Sequence, residues 1–521
     1  MIKTDRREFL KGTAWMGAIA SISGCTSAAV AAKAVCAPGM MTDFAAPALK
    51  TVRVGVIGLG ARGPGAVHRL AAIPGVEVVA LCDLYKGRVE RQQKYLQDNG
   101  KPKAREYWIY TSAGEPRKDE TSAYRALCES DLDLVYVATP WAVHTPAALC
   151  AMENGKHVAI EVPSAMTLEE CFALVETSER TRRHCMQLEN CCYDRVEMLT
   201  LNMVRKGLLG ELVHAEGAYI HDLRDYQYRD PAKGGYQGSW RLRWNMEHTG
   251  NQYPTHGLVP LMQNMNINRG DRFEYLTSVS SAAIGMNRFA VAKFGENDPR
   301  AGIFPVSGDM STTVIRTANG KTIMVQHDVT SARPYSRLHL VSGTQGILHK
   351  YPFRVALAKN PGGGAHEWFD FTREEAEKIL GRTFKDGGRW HNETTVPEDE
   401  MLAAEYAQRV MKEYEHPLWK IAGDLARKMG GHGGMDFLMD LRLCYCLQNG
   451  LPLDMNVYDL AASCSLCELT ERSAKARGAS QDVPDFTRGA WKTAKPLGIE
   501  SVDLEKLGLK DVRKDEAQLN V

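Results

Sequence analysis

The region between residues 51 and 190 contains five short apolar runs, separated by stretches with helical periodicity. Apolar runs of this length are typical of parallel strands that are buried on both faces of a sheet. Helical stretches lie between the runs, for example at 145–154 and 168–181. Strands that alternate with helices predict an α/β domain built on a parallel sheet. The five runs are Val52–Ile57, Val76–Cys82, Leu132–Ala138, His157–Ile160 and Cys185–Leu188.

After about Gly210 the pattern changes to alternating polar and apolar positions. Leu212–Ile220 alternates in this way, and so do residues 312–316, 321–328 and 337–342. Alternation with a period of two is typical of strands that have one buried face. This region therefore predicts a C-terminal α+β domain with a large, mostly antiparallel open sheet.

Helical periodicity returns near the C-terminus, at Met435–Leu447 and Val457–Ala474. These helices would complete the second domain, and the polar residues after them are expected to wrap the surface. The expected organisation is a leader and spacer at 1–48, an α/β domain at 49–190, a second domain at 191–475 and a tail at 476–521.

A glycine-rich turn follows the first predicted strand. It contains Gly58, Gly60 and Gly63, and Asp83 ends the second strand twenty residues after the last glycine. Strand, turn, helix, strand and acid in this order form the dinucleotide-binding fingerprint. The glycines let the backbone approach a pyrophosphate, and the acid bonds a ribose hydroxyl and disfavours a 2′-phosphate. The sequence therefore predicts a Rossmann domain that binds NAD rather than NADP.

Composition excludes several classes of protein. The chain has 521 residues and a formal net charge of +1, which is enough length for two or three domains and too little charge to indicate a nucleic-acid partner. It contains no apolar stretch of eighteen or more residues, so no ordinary transmembrane helix is expected.

The N-terminus resembles a bacterial export signal. Residues 5–11 include Arg6 and Arg7 in a pattern similar to the twin-arginine signal, and a mildly apolar segment follows at 12–23. Residues 22–25 resemble a lipobox, in which Cys25 would carry a lipid; simple cleavage after Ala31 and a disordered cytoplasmic tail are the alternatives. The expected location is the periplasm, either free or as a membrane-anchored lipoprotein.

The 13 cysteines indicate packing rather than metal binding. Most are single residues inside apolar runs, where cysteine behaves as a small hydrophobic side chain. Cys464 and Cys467 form one CxxC pair with no second pair nearby. We therefore predict no structural metal.

Four segments with distinctive motifs are Glu161–Pro163, Glu189–Tyr193, Asn251–Gly257 and Gly431–Asp436. Together they resemble glycoside hydrolase family 109, a branch of the glucose–fructose oxidoreductase and inositol dehydrogenase superfamily. That superfamily has Glu-Lys-Pro after the fifth strand, where the lysine helps to take a hydroxyl proton. Here the central residue is Val162, which cannot move a proton.

The resemblance implies two sets of binding residues. Two of the sugar-binding positions have alternatives: Tyr226 or Tyr228 could take the role of Tyr219, and Arg243 could take that of Arg241. The expected NAD contacts, with the three glycines of the turn, are Ala61, Arg62, Asp83, Trp141 to His144, Glu161, Val162 and Asn190. The expected sugar contacts are Tyr219, Arg241, Tyr253, Pro254, Thr255, His256 and Tyr335.

Three residues are candidates for the chemistry. His256 is the first choice for proton transfer at O3 or C2 of the sugar, because imidazole titrates near neutral pH. Tyr253 could donate to the same hydroxyl or orient it. His432 lies between glycines and could bond the sugar or activate water. A packed aromatic ring and a structural histidine are the alternative interpretations.

The family consists of NAD-dependent N-acetylgalactosaminidases. The resemblance implies release of a terminal, alpha-linked N-acetylgalactosamine from a glycan, by transient oxidation at C3, elimination, addition of water and re-reduction. The residues themselves leave the anomer open, and a homo-oligomer is expected. Two other functions stay open: an NAD-dependent sugar dehydrogenase, and a non-catalytic sugar-binding protein that carries NAD.

Overall fold

A six-stranded parallel sheet forms the N-terminal part of the computed structural model. The structure describes residues 39–111, 115, 122–360, 363–385, 389–498 and 500–509. The predicted export signal and Cys25 lie outside these residues, as does the end of the predicted tail from residue 510.

The strand order in the first sheet is β3-β2-β1-β4-β5-β6, and every neighbouring pair is parallel. This is the doubly wound arrangement that the apolar runs predict. The short strand β3 lies in a polar stretch that carries no apolar run, so the sequence pattern gives no signal for it. The strands are β1 Val52–Ile57, β2 Val76–Cys82, β3 Arg105–Tyr107, β4 Leu134–Val137, β5 His157–Ile160 and β6 Cys185–Gln187.

Five helices connect these strands. Thr167 and Glu170 form a capping box at the start of the fifth helix, which satisfies free backbone N–H groups and fixes where that helix begins. The helices are α1 Gly63–Ala72, α2 Lys86–Asp98, α3 Ala123–Glu129, α4 Trp141–Glu153 and α5 Leu168–Thr181.

An eight-stranded sheet follows, in the order β13-β12-β11-β7-β10-β9-β8-β14. It is antiparallel except for the β7–β10 pair, which is parallel. The predicted α/β fold with a second, mostly antiparallel sheet is therefore confirmed. The strands are β7 Leu212–Ile220, β8 Phe273–Ser280, β9 Ser311–Thr317, β10 Thr322–Asp328, β11 Ser336–Gly343, β12 Gly346–His349, β13 Arg354–Leu357 and β14 Gln481–Asp482.

Ten further α-helices accompany the second sheet in the described part of the chain, and Asn190–Tyr193 and His432–Gly434 form short 3₁₀ turns. The last helix, α15, is buried along most of its length and packs against both α5 and β8. It therefore joins the two sheets through one core. The helices are α6 Arg195–Arg205, α7 Arg224–Tyr228, α8 Trp240–Glu247, α9 Thr255–Met265, α10 Gly285–Phe294, α11 Arg373–Leu380, α12 Val396–Tyr414, α13 Pro417–Met429, α14 Met435–Asn449 and α15 Val457–Lys475.

Part of the predicted spacer packs against the folded domain. Met40 and Met41 are buried, and the backbone N–H of Met41 donates to the hydroxyl of Tyr458 at 3.0 Å. Near the C-terminus, Val483 and Phe486 are also buried. The described parts of the spacer and the tail thus contribute to the core, although their composition is not that of a core element.

None of the helices in the described ranges is long and apolar enough to cross a membrane.

In the glycine turn between β1 and α1, Gly58 and Gly63 have no space for a side chain, whereas Gly60 has such space. A Cβ at Gly58, whose φ is +92°, would lie 2.5 Å from the Ala138 carbonyl oxygen, and one at Gly63 would lie 1.9 Å from that of Gly58. A Cβ at Gly60 would meet only the Arg88 guanidinium, at 3.7 Å. The turn therefore requires Gly58 and Gly63 for its own folding, whereas Gly60 leaves space beside the backbone.

We predict different outcomes for alanine at the last two glycines. Gly63→Ala should lower the free energy of unfolding by about 1–3 kcal/mol, because the turn must move to accept the methyl group. Gly60→Ala should change it by less than about 0.5 kcal/mol but weaken NAD retention, because its methyl group would occupy the open side. Chemical unfolding and the nucleotide content of the purified variants measure both effects. Equal behaviour of the two variants would contradict this account.

Candidate active site

Helix α9 starts in direct backbone contact with strand β7. A Cβ at Gly217 would lie 2.3 Å from the Gly257 carbonyl oxygen, and a Cβ at Gly257 would lie 2.2 Å from the backbone nitrogen of Ala218. Two glycines are therefore required where the helix crosses the strand. This contact brings the residues at the start of α9 against the end of β7.

His256 is held by a buried carboxylate from the first domain. Its Nδ1 lies 2.7 Å from Oε1 of Glu189, which follows β6 and is completely buried. Burial would raise the pKa of Glu189, but the charge of His256 and their hydrogen bond outweigh this and hold the pKa of Glu189 below its usual range. The ionised carboxylate fixes Nδ1 as the donor, so Nε2 is the nitrogen that can exchange a proton with a substrate.

Tyr219 and Tyr253 form a stacked pair beside this histidine. Their ring centroids are 4.5 Å apart, and the His256 ring stands on edge at 5.2 Å from Tyr219 and 4.9 Å from Tyr253. The other two candidate tyrosines lie elsewhere: Tyr226 packs near Tyr236, and Tyr228 packs against Phe289. The structure therefore brings Tyr219 into the site, and not Tyr226 or Tyr228.

Arg241 lies over the same aromatic rings. Its guanidinium carbon is 5.0 Å from the Tyr253 ring centroid and 5.2 Å from that of Trp141. Nη1 donates to the Tyr236 hydroxyl at 3.3 Å, but Nε and Nη2 are buried without a hydrogen-bond partner in the described part of the chain. Arg243, the competing candidate, is exposed. A buried guanidinium with two unused donors can bind a carbonyl or hydroxyl oxygen.

Tyr335 stands at the rim of the site. Its ring centroid is 6.4 Å from that of Tyr219, and its hydroxyl accepts a hydrogen bond from Nη1 of Arg337 at 3.2 Å. Arg337, which is buried, in turn forms ion pairs of 2.7 Å with both Asp194 and Glu197. The tyrosine is thus fixed through Arg337 to the segment that starts α6.

The remaining two expected sugar contacts are at the start of α9. Thr255 is fully buried and is the first residue of the helix, directly after Pro254. Their contribution is to place Tyr253 and His256 on either side of the helix start.

A second group of predicted residues forms an ion cluster between the domains. Arg62 donates from Nε to Glu161 and from Nη1 to Asp436, each at 2.9 Å. His432 Nδ1 lies 3.0 Å from the same Asp436 carboxylate, whose other oxygen accepts from Asn190 at 2.5 Å. The structure therefore joins four predicted site residues through Asp436. The contacts of His432 are with this cluster rather than with the tyrosine pair.

Three of the predicted residues that follow β4 and β5 are buried: Trp141, His144 and Val162. The His144 ring nitrogens lie 2.7 Å from the carbonyl oxygens of Pro163 and Thr139, and burial lowers the pKa of His144. This histidine therefore ties the turns after the two strands together. Trp141 and Val162 belong to one apolar cluster with Tyr219 and Tyr253, so an apolar side chain suits the position where the superfamily has lysine.

The nucleotide-binding residues fit NAD. The open side of the glycine turn lies at Gly60, beside the exposed Ala61. Asp83 is at the end of β2, and its carboxylate accepts from the backbone nitrogens of Leu59 at 2.8 Å and Tyr85 at 3.0 Å. Arg88 lies 3.5 Å from the same carboxylate and is an additional candidate for the nucleotide. The turn, the helix N-terminus and the carboxylate are the three parts that a dinucleotide requires.

Two site histidines were not predicted. His221 Nδ1 lies 3.0 Å from the Tyr219 hydroxyl, and burial, with the nearby Arg241 and His256, lowers the pKa of His221 to about 4. His327 pairs with Tyr219 across the parallel strands β10 and β7. Both follow the alternation of their strands, which could have placed them on the same face as Tyr219.

Glu189, Cys191 and His256 have donor atoms that all lie within 4.8 Å of one another, a grouping that could hold a metal ion. The hydrogen bond between Glu189 and His256 already uses one oxygen and one ring nitrogen of this set. The expectation of no metal stays a prediction.

Comparison with known families agrees with this geometry. A family model for the C-terminal domain of glycosyl hydrolase 109 matches residues 193–385 and 390–493. A model for the oxidoreductase family with an NAD-binding Rossmann fold matches residues 52–188. Together they cover both sheets.

Full-length relatives match most of the chain. A glycosyl hydrolase family 109 protein of Shewanella amazonensis is 43% identical over 501 residues, which are 96% of this chain and 100% of that protein. An alpha-N-acetylgalactosaminidase of Bacteroides fragilis is 43% identical over 450 residues, 86% of this chain and 95% of that one.

Among solved structures, levoglucosan dehydrogenase in complex with NADH and levoglucosan shares the fold. It has a TM-score of 0.56 at 18% identity and covers 84% of this chain and 100% of its own. An NAD-binding oxidoreductase from Klebsiella pneumoniae gives a TM-score of 0.55 at 15% identity, with the same coverage. The predicted family and the predicted NAD cofactor are confirmed: the chain belongs to glycosyl hydrolase family 109 and carries an NAD-binding Rossmann domain.

Proposed function

We propose that this enzyme releases terminal, alpha-linked N-acetylgalactosamine from glycans by redox-assisted elimination. The observation that carries the proposal is the pair formed by His256 and Glu189. Glu189 lies directly after β6, at the carboxyl edge of the parallel sheet, where dinucleotides bind in such folds. A base and a nucleotide site therefore share one edge of the molecule. The name of the Bacteroides fragilis relative supports the choice of sugar.

The residues of this chain would supply binding and proton transfer. When bound, NAD would provide an acceptor for a hydride from C3 of the sugar and a source for its return. A C3 ketone makes the neighbouring C2 proton acidic, and loss of that proton allows the C1 aglycone oxygen to leave. His256 has its Nδ1 held by Glu189, which leaves Nε2 as the ring nitrogen that could act as a general base at O3 or C2.

The surrounding side chains would hold the sugar in place. The stacked Tyr219 and Tyr253 rings provide a rigid wall, and Arg241 provides two unused donors. The ion cluster around Asp436 keeps Arg62 and Asn190 at the nucleotide side. Because Val162 replaces the lysine of related dehydrogenases, proton transfer falls to His256 from the second domain.

Isotope exchange tests the proposed route. In D₂O, an aryl alpha-N-acetylgalactosaminide should release its phenol without added NAD and without net NADH, and the sugar product should carry deuterium at C2. A glycosidase that uses only a pair of carboxylates has no reason to exchange that hydrogen. Stoichiometric NADH with free sugar would indicate a dehydrogenase instead. Sugar binding with no product would indicate a non-catalytic carrier.

Substitution of the dyad should separate catalysis from folding. His256→Ala should lower kcat by about 10²–10⁴-fold, the usual contribution of a general base. Glu189→Gln should lower kcat less, because the amide oxygen can still accept from Nδ1 but no longer stabilises a positive imidazole. Glu153→Gln, which removes an exposed ion pair with Arg180, is the matched control and should leave kcat unchanged.

The melting temperature of Glu189→Gln should depend on pH in a predictable way. Because the folded pKa of Glu189 is below its unfolded value, the ionised carboxylate stabilises the fold above about pH 4.3. This contribution is lost as the pH falls through the folded pKa. Glu189→Gln should therefore melt at a lower temperature than the parent at pH 7, and the difference should shrink below pH 4. A difference that is independent of pH would contradict the assigned charge state.

We further propose that the protein is exported by the twin-arginine route, with Cys25 as a site of lipid attachment. The support is the arrangement of Arg6, Arg7, the apolar segment and the residues before Cys25. A signal of this type is understood to move folded proteins, so NAD could be enclosed before export.

Replacing both arginines by lysine should leave the active protein in the cytoplasm, as measured by cell fractionation. Cys25→Ala should move the exported protein from the membrane fraction to the soluble periplasm. Export of the Arg6→Lys, Arg7→Lys variant at the parent level would refute the proposed route, and a soluble parent protein would refute the anchor.

A further inference from the structure

His327 is a buried histidine with no hydrogen-bond partner in the described part of the chain. It lies near the end of β10 and is 2% exposed, yet neither Nδ1 nor Nε2 makes a hydrogen bond. Buried polar atoms are almost always paired, because an unpaired one destabilises the fold. An exception beside a candidate active site indicates atoms that a ligand completes.

His327 lies beside the tyrosines that are proposed to bind the sugar. It is the strand neighbour of Tyr219 in the parallel β7–β10 pair, and the two rings are roughly parallel with centroids 6.2 Å apart. Tyr219 in turn stacks on Tyr253. His327 is therefore part of the wall that carries the proposed substrate-binding tyrosines.

Its low pKa makes His327 a weak base. Burial and the charge of the nearby Arg241 lower the pKa of His327 to about 3, so the ring is neutral near pH 7. A neutral imidazole has one N–H donor and one nitrogen acceptor. Arg241, also adjacent to Tyr219, has donors only, and two of these are unpaired.

An acetamido group matches these two side chains. It presents a carbonyl oxygen, which accepts from a guanidinium, and an N–H, which needs an acceptor that Arg241 cannot provide. A sugar hydroxyl could also accept from one side chain and donate to the other, but only through a single oxygen, whereas the acetamido group presents its acceptor and its donor on separate atoms. We propose that His327 is a substrate-binding residue that, together with Arg241, recognises the 2-acetamido group and so makes the site selective for it. This inference rests on the sugar proposed above.

His327→Phe tests the proposal, because phenylalanine keeps the ring and removes both nitrogens. The holoenzyme variant should melt at or above the temperature of the parent, since two unpaired polar atoms are gone. Free N-acetylgalactosamine should raise the melting temperature of the parent and not that of the variant. The preference for aryl N-acetylgalactosaminide over aryl galactoside, measured as a ratio of kcat/KM, should fall by about tenfold or more, the effect of losing one well-placed hydrogen bond.

His339→Phe is the matched control. His339 is equally buried, on β11 at the other side of β7, but its Nε2 lies 3.0 Å from the Thr200 hydroxyl. Its replacement should lower the melting temperature and leave the preference unchanged.

The outcomes separate this inference from the proposed function. If His327→Phe lowers the melting temperature and keeps the full preference for the acetamido sugar, His327 is structural and the inference fails while the glycosidase stands. If the parent does not hydrolyse the glycoside but is stabilised by N-acetylgalactosamine, and the variant is not, the recognition stands and the proposed reaction fails.

Discussion

The backbone contact between Gly217 and Gly257 is the constraint on which the active site depends. With no side chain on either residue, the first turn of α9 lies directly on β7. This close approach places Tyr253 and His256, at the helix start, against Tyr219 near the strand end. A side chain at either glycine would separate the two elements and open the stacked wall.

A hydrogen bond made from the start of this helix also connects the two domains. His256 belongs to the second domain, but its partner Glu189 comes from the edge of the parallel sheet. The carboxylate is inaccessible to water, so its charge acts on the imidazole in a medium of low polarity. The related superfamily places a lysine directly after the fifth strand, whereas here that position is Val162 within an apolar cluster. With the proposed base His256 in the other domain, the position of Val162 can be apolar.

Sequence patterns predicted the elements whose signal is local. The apolar run at His157–Ile160 and the periodicity at 168–181 correspond to β5 and α5 with the same bounds. A buried strand needs apolar residues and a capped helix needs capping residues, so both are visible in the local sequence. The strand Arg105–Tyr107 was missed, since it pairs with β2 through its backbone and shows no apolar run.

The site residues also divide into those with a local sequence signal and those without one. The glycine turn and Asp83 are recognisable because their spacing along the chain is fixed by one βαβ unit. The bond from Glu189 to His256 joins residues 67 positions apart, and the choice of Tyr219 over Tyr226 depends on where β7 ends and α7 begins. Such pairings are decided by how the two sheets pack, so no local pattern could identify them.

Paired and unpaired polar groups have separate roles in this site. Around Asp436 each carboxylate oxygen has a donor, from Arg62 on one side and Asn190 on the other. Because these charges are already paired, they fix the geometry of the cluster, and a ligand would gain little free energy by pairing with them. Around Tyr219 the opposite holds, because Arg241 and His327 keep unpaired nitrogens in a buried aromatic setting. Under the proposed function, a substrate would supply the missing partners of Arg241 and His327, whereas the paired residues around Asp436 fix the geometry of the site.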